Sequence, residues 1–242
     1  MNKFSARIKP EEFREWNEEM VKKYDPDAFH HHPSPVVRFI ENKRVNAIVS
    51  LINIRCKGTR LLEVGCGAGN ILEKVPSGNL FGLDISASIL SKAKRNLGKE
   101  ADLFQADAQN LPLKDQAFEQ VVCSEVLEHV VDPTACLKEI ARILSCEGIA
   151  VISVPNEHWI NRIKGVLIHL GIFSWLLHRG DEYGKMPEKM EDEWHLHAFS
   201  LREWLALFNN FFRVIRLRRI PFAWLPLRYV MRLEKFDEKD HL

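Results

Sequence analysis

The segment Leu61-Leu62-Glu63-Val64-Gly65-Cys66-Gly67-Ala68-Gly69 constrains the fold more than any other stretch of the chain. An apolar run reads as a buried strand, glycine then recurs at alternate positions, and a helix is expected to start at Ile71–Val75. Glycine carries no Cβ, so such a loop can turn sharply and leave room for a ligand against its backbone. A helix that begins just beyond it offers unpaired N–H groups to a carboxylate or another anion. Glu63 adds a negative charge beside the loop, which suits a cationic amine. Taken alone, a glycine loop also fits an ordinary turn.

The surrounding text alternates strands with helices. Strands are expected at Arg60–Val64, Leu80–Ile85, Asp102–Ala106, Ala117–Cys123 and Ile149–Val154. Ser86 is placed to cap a helix running to Leu97. Asp132, with Pro133 at the first helical position, opens another helix to Leu144. This pattern predicts an α/β fold with a doubly wound, mostly parallel sheet and helices on both faces. The core spans residues 59–155. Residues 1–58 form an N-terminal helical segment, in which Val37, Ile40, Val45, Ile48, Val49 and Ile52 keep helical spacing.

After Pro155 the alternation stops. Residues 156–199 read as a helical cap insertion, with a helix over Trp159–Leu177 carrying Ile163, Val166, Leu167, Leu170, Phe173 and Leu176, and a polar loop over Gly180–Asp192. Residues 200–242 complete the core. Ser200 and Glu203 make a capping-box pattern for a helix over Leu201–Phe208, and Asn210 suits a left-handed C-terminus. Phe212–Ile220 alternates as a late strand.

Composition removes several classes. The formal net charge of the 242 residues is +1, and no basic excess or RNA-binding module points to nucleic acid. The cysteines, Cys56, Cys66, Cys123, Cys136 and Cys146, are odd in number with no C-x-x-C pair, which fits reduced thiols and a cytoplasmic setting. Met1–Glu19 is charged and shows no signal-peptide pattern. The apolar run of the cap is shorter than the roughly 20 residues that span a bilayer; a buried cap or a helix lying on a membrane surface both fit it. Arg213, Arg216, Arg218, Arg219, Arg228 and Arg232 stand near Phe222, Trp224 and Tyr229. They suit a solvated edge strand with snorkelling side chains, or peripheral contact with anionic lipid or an acidic substrate.

Two further acids join the loop. Asp84 ends the second strand at the distance expected of a carboxylate that accepts bonds from ribose hydroxyls. Asp107 follows the third strand, where it can accept from an exocyclic adenine amine. Either acid alone is as well explained as a helix cap; the conjunction of three strand ends is more specific. A nicotinamide-binding loop would read G-x-G-x-x-G, and Asn70 stands where its last glycine would fall.

Glu63–Gly69, Gly82-Leu83-Asp84-Ile85-Ser86, Ala106-Asp107-Ala108 and Ser124-Glu125-Val126-Leu127-Glu128-His129-Val130 resemble the successive motifs of class I S-adenosylmethionine-dependent methyltransferases. The likeness is greatest to the small-molecule branch that includes the ubiquinone-biosynthesis O-methyltransferases, and it runs well through Arg60–Pro155 and weakly through His195–Ile220. It implies a seven-stranded sheet with its last strand antiparallel. It also implies S-adenosylmethionine contacts at Glu63, Gly65, Cys66, Gly67, Asp84, Asp107 and Ala108, with Ser124 facing the cofactor and Ile85 bordering the adenine.

Methyl transfer needs alignment and exclusion of water more than a catalytic dyad, and a base only where the acceptor's proton is too tightly held. His129 and His195 are the candidates for that base; a backbone hydrogen bond also accounts for His129. His195-Leu196-His197 lacks a matching set of acidic or cysteine ligands, so no metal is expected. His30-His31-His32 fits a lid or a solvated loop. The expected activity is methyl transfer to a small, lipophilic acceptor. A non-catalytic cofactor-binding protein, a protein or RNA methyltransferase and, less well, a nicotinamide-dependent oxidoreductase stand as alternatives.

Overall fold

A computed structural model describes residues 8–9, 11–53, 58–76, 78–171 and 194–236. Seven strands form one sheet: β1 (Arg60–Val64), β2 (Asn79–Asp84), β3 (Ala101–Gln105), β4 (Phe118–Ser124), β5 (Leu144–Pro155), β6 (Phe212–Phe222) and β7 (Leu225–Lys235). Their order is β3-β2-β1-β4-β5-β7-β6. β1 to β5 pair in parallel, and β7 runs antiparallel between β5 and β6. The sheet is thus the doubly wound, mostly parallel one expected.

The β1 run is apolar without alternation because both of its faces are covered. Leu62 and Val64 pack with Leu137 and Ile140 of α4 (Pro133–Ile143) and with Trp204 and Phe208 of α6 (Leu201–Phe208). Leu61 points the other way, into a cluster with Val45, Ile48 and Leu51 of α2 (Pro35–Leu51). The expected caps form. Ser86 accepts from Ile89 N at 3.3 Å to open α3 (Ala87–Leu97). Asp132 accepts from Thr134 N at 2.8 Å and Ala135 N at 3.2 Å, and Ser200 with Glu203 closes a capping box.

Several boundaries differ from the sequence reading. No α-helix follows the glycine loop; Leu72–Lys74 makes a single 3-10 turn, and Pro76, two residues on, cannot continue a helix. Ser124 is the last residue of β4 rather than the first beyond it. β5 begins at Leu144, ahead of Gly148. α6 ends at Asn209 with φ −63°, so neither it nor Asn210 takes the left-handed conformation expected there. No residue range in the sequence reading corresponds to β7, although the resemblance implies seven strands with the last antiparallel, as β7 is. The cap begins as expected with α5 (Glu157–His169); the remainder of the expected helix, including Phe173 and Leu176, and the loop over Gly180–Asp192 lie outside the described residues.

The N-terminal segment folds as α1 (Phe13–Tyr24), a 3-10 turn at Pro26–Phe29, and α2. Polar ties hold it over the carboxyl edge of the sheet. Lys92 pairs with Asp25 at 2.6 Å, and Asn70 Nδ2 donates to Asp27 Oδ1 at 2.9 Å. This placement roofs the site.

Candidate functional site

A cavity of about 490 Å³ lies along the carboxyl ends of β1, β2 and β4, between the sheet, the N-terminal helices and α5. Every residue expected to contact a cofactor lines it: Glu63, Gly65, Cys66 and Gly67 from the loop, Asp84 and Ile85 after β2, Asp107 and Ala108 after β3, and Ser124. His129 and His195 line it as well.

At one end the glycine loop is shaped by its neighbours. Gly65 has φ +70°, and a Cβ there would meet Val126 Cγ2 at 2.3 Å. Gly67 has φ +53° with nothing within 4 Å of its Cβ position, which leaves open space above the loop. Asp84 Oδ2 accepts from Gly67 N at 3.0 Å and Oδ1 from Ser86 N at 2.9 Å, so this carboxylate also fixes the loop to β2. Burial pushes the Asp84 carboxyl up despite these bonds. Asp107 is engaged by Gln109, whose backbone N donates to Oδ1 at 2.9 Å. Glu63 is buried, and its Oε2 has no hydrogen-bond partner. Burial pushes its carboxyl up to about 8, against the pull of the Arg44 guanidinium. An unpaired buried carboxylate oxygen is costly, and an ammonium group would satisfy it. The open space over Gly67, the orphaned Glu63 oxygen and the two further acids thus fit the amino-acid, ribose and adenine parts of S-adenosylmethionine.

The middle of the cavity holds a buried polar chain that the sequence did not reveal. Arg44 grips Glu41 Oε2 through Nε at 3.0 Å and Nη2 at 2.7 Å, and its Nη1 donates to Ser124 Oγ. Ser124 Oγ lies 2.9 Å from Ser153 Oγ, which donates to Glu125 Oε1 at 2.9 Å. Glu125 Oε2 stands 2.5 Å from Arg228 Nε as an ion pair, off the line of an N–H bond. Glu125 has φ +55°, unusual for a residue with a Cβ. One signal was legible: Glu41 and Arg44 are an i, i+3 charge pair on the buried face of α2.

At the far end, Glu128, His129, Glu157, Trp194 and His195 converge. His129 Nδ1 lies 3.3 Å from Trp194 O, so the backbone bond that accounts for it is present; its ring also packs 4.7 Å from His195. Burial, then the neighbouring His195, holds the His129 imidazole well below its ordinary range, so it is neutral and its Nε2 keeps a lone pair. His195 Nδ1 contacts Glu157 Oε1 at 2.5 Å. Burial, with the charges of Glu125 and Glu157, pushes Glu128 well above the carboxylate range, so it is a neutral acid. His197 faces away and bonds Val130 O at 2.9 Å. The donor atoms of Glu128, His129 and His195 lie within 4.8 Å of one another, a group able to hold a cation, although the sequence reading expects no metal. Of the N-terminal histidines, His30 and His32 line the cavity, His32 also accepting from Ser34 N at 3.0 Å, and His31 is exposed.

Residues 62–152 match the family described as methyltransferase domain. Those residues hold the glycine loop, Asp84, Asp107 and Ser124, and in the sheet order and this site the chain is similar to class I S-adenosylmethionine-dependent methyltransferases. Among curated relatives, a ubiquinone biosynthesis O-methyltransferase of Rhodopseudomonas palustris (strain HaA2) is 28% identical over 157 residues, covering 60% of this chain and 58% of the relative. A demethylmenaquinone methyltransferase of Lactobacillus johnsonii is 38% identical over 101 residues, covering 38% and 41%. The chain spans about three fifths of the length of the first curated relatives it matches. Among solved structures, the N-methyltransferase NodS from Bradyrhizobium japonicum WM9 in complex with S-adenosyl-l-homocysteine shares the fold with a TM-score of 0.65 at 13% identity, over 92% of this chain and all of that one.

Proposed function

We propose that the protein transfers a methyl group from S-adenosylmethionine to a small, lipophilic, quinone-type acceptor. The observation that carries this reading is one continuous cavity joining the Glu63–Gly67 loop to His129, His195 and the apolar side chains Ile163 and Leu167. When bound, S-adenosylmethionine supplies an electrophilic methyl on a sulfonium and leaves as a neutral thioether. Glu63 would hold the amino group, the Gly65-Cys66-Gly67 backbone the amino-acid portion, and Asp84 the ribose hydroxyls. Ile85, Asp107 and Ala108 would border the adenine, and Ser124 would face the cofactor from the end of β4. His129 and His195 are then the groups able to take the acceptor's proton, and α5 with the N-terminal helices excludes water from the exchange.

The names of the relatives support a quinone-type ring. The cavity's apolar end agrees with it. Exposed Phe39, Phe222 and Trp224 stand beside the lining residues Val36 and Leu225, and exposed Val166 and Leu170 extend the apolar surface of α5. That rim suits delivery of a greasy acceptor from a membrane surface. Among the described residues no helix is long and apolar enough to cross a membrane. Liposome flotation tests the contact; no association with neutral or anionic vesicles would end it.

The deciding experiment incubates the protein with labelled S-adenosylmethionine and a panel of short-chain prenylated quinols and catechols, with a protein and RNA extract alongside. Label in a quinol supports the reading. Label only in macromolecules turns it to a protein or RNA methyltransferase, and S-adenosylhomocysteine binding without transfer to a non-catalytic protein. The spacing of Glu128, His129 and His195 favours a second reading of the acceptor end, in which a divalent cation holds the acceptor oxygen. Turnover unchanged by exhaustive chelation would remove it.

A further inference from the structure

We infer that Glu157 is the positioning residue of the reacting end: it fixes His195 with its proton on Nδ1 and leaves Nε2 as the ring's open nitrogen. The contact between Glu157 Oε1 and His195 Nδ1 is 2.5 Å, short enough to be a charge-assisted bond. It joins the first turn of α5 to a residue 38 positions later. Both side chains line the cavity.

A plainer role is available, since an acid in a first helical turn complements the helix dipole. That role needs no burial, because the dipole acts on exposed acids as well. Glu157 is only 4% exposed, and a buried carboxylate is retained at a cost unless it is paired. Asn156, not Glu157, caps the helix, accepting from Trp159 N at 3.4 Å. Glu157's carboxylate is therefore free of capping duty and spent on the imidazole. A carboxylate oxygen accepts, so in this contact Nδ1–H is the donor and Nε2 is the ring's remaining nitrogen.

This inference rests on the reading that His195 works at the acceptor. A proton leaving an acceptor hydroxyl would end on Nε2, giving an imidazolium whose charge Glu157 offsets. The acceptor oxygen keeps the electron pair with which it forms its bond to carbon, and the sulfur keeps the pair of the bond that breaks. The same orientation would present Nε2 to a cation, because an outer carboxylate commonly sets the tautomer of a ligating histidine. The role is thus shared by both readings of the acceptor end.

The test reads the ring directly and needs no acceptor. Nitrogen-15 NMR of the metal-free protein saturated with S-adenosylhomocysteine should show His195 as the Nδ1–H tautomer in the wild type. Glu157→Ala should lose that preference, while Glu157→Gln, whose carbonyl still accepts, should keep a larger share of it. A wild-type proton on Nε2, or an unchanged tautomer in folded Glu157→Ala, overturns the inference. If Glu157→Ala does not fold, the wild-type spectrum and Glu157→Gln decide. With a prenylated catechol as probe acceptor, Glu157→Ala should lower kcat by roughly 10–100-fold with KM little changed. Glu157→Ala combined with His195→Ala should be no slower than His195→Ala alone; additive losses overturn action through His195. A tautomer that shifts while kcat stays constant upholds the positioning of the ring and removes His195 from the reaction instead.

Discussion

Gly65→Ala and Gly67→Ala, two residues apart in one loop, should fail in different ways. At Gly65 the backbone is left-handed, which costs a residue with a Cβ about 1–2 kcal/mol. The new methyl would also stand 2.3 Å from Val126 Cγ2. Val126 cannot retreat freely, because Glu125 before it is itself held at φ +55° and tied to Ser153 and Arg228. Overpacking of this kind adds about 1–3 kcal/mol, so Gly65→Ala should lose roughly 2–5 kcal/mol of stability. At Gly67 the left-handed strain remains, but the methyl enters open space. Stability should fall by only about 1–2 kcal/mol. The loss should appear instead in cofactor affinity, because that space is where a ligand would lie against the loop. A clash of about 1–3 kcal/mol there corresponds to roughly a 5- to 150-fold weaker Kd. Urea unfolding measures the first quantity and calorimetric titration with S-adenosylhomocysteine the second. A Gly65→Ala protein within 0.5 kcal/mol of wild type (about the scatter between neutral surface substitutions) would refute the packing argument. A Gly67→Ala protein with wild-type affinity would refute the placement of the ligand.

Four other outcomes follow from buried charge and capping. Glu63, raised to about 8, holds its proton in the folded state while the unfolded carboxyl ionises near 4.3; its contribution is intact below that value and declines as pH rises to about 8, so Glu63→Gln should flatten the fall in stability across this window. An ammonium ligand favours the charged carboxylate, so S-adenosylhomocysteine binding at pH 7 should release protons from Glu63, seen by calorimetry in buffers of different ionisation enthalpy and reduced in Glu63→Gln. Arg44→Met strands the buried Glu41 carboxylate and should cost about 3–5 kcal/mol; adding Glu41→Gln should recover much of it, and an additive double mutant would contradict the pairing. Asp132→Ala removes the acceptor for two N–H groups of α4 and should cost about 0.5–2 kcal/mol by thermal unfolding, with binding unchanged.

What could be read from the sequence was local chemistry. Ser86, Asp132 and the Ser200–Glu203 box act within three residues of themselves, so their meaning survives without the fold. The doubly covered β1 announces itself by an unbroken apolar run. The helix expected at Ile71–Val75 shows the limit of the same reading: its apolar cluster suits a helix, but Pro76 restrains the residue before it and blocks continuation. The range of β7 escaped because Pro226, Arg228 and Arg232 interrupt its alternation, although Val230, Met231 and Leu233 are fully buried.

The reacting end was half legible for a related reason. Its histidines are conspicuous, but what makes them usable is contributed from far away. Glu157 reaches His195 across 38 residues and Arg44 reaches Ser124 across 80. Three glutamates, at 125, 128 and 157, crowd this end of the cavity, and they cannot all ionise cheaply. Arg228 neutralises Glu125 and His195 engages Glu157, so the proton is left on Glu128. Glu125 and Glu128 belong to the motif after β4 and Glu157 to α5, whereas Arg228 comes from β7 and His195 from the chain beyond the cap. Which of the three acids stays neutral is therefore decided by the pairing of β5 with β7 and by the return of the chain at Trp194, and no window along the sequence contains both.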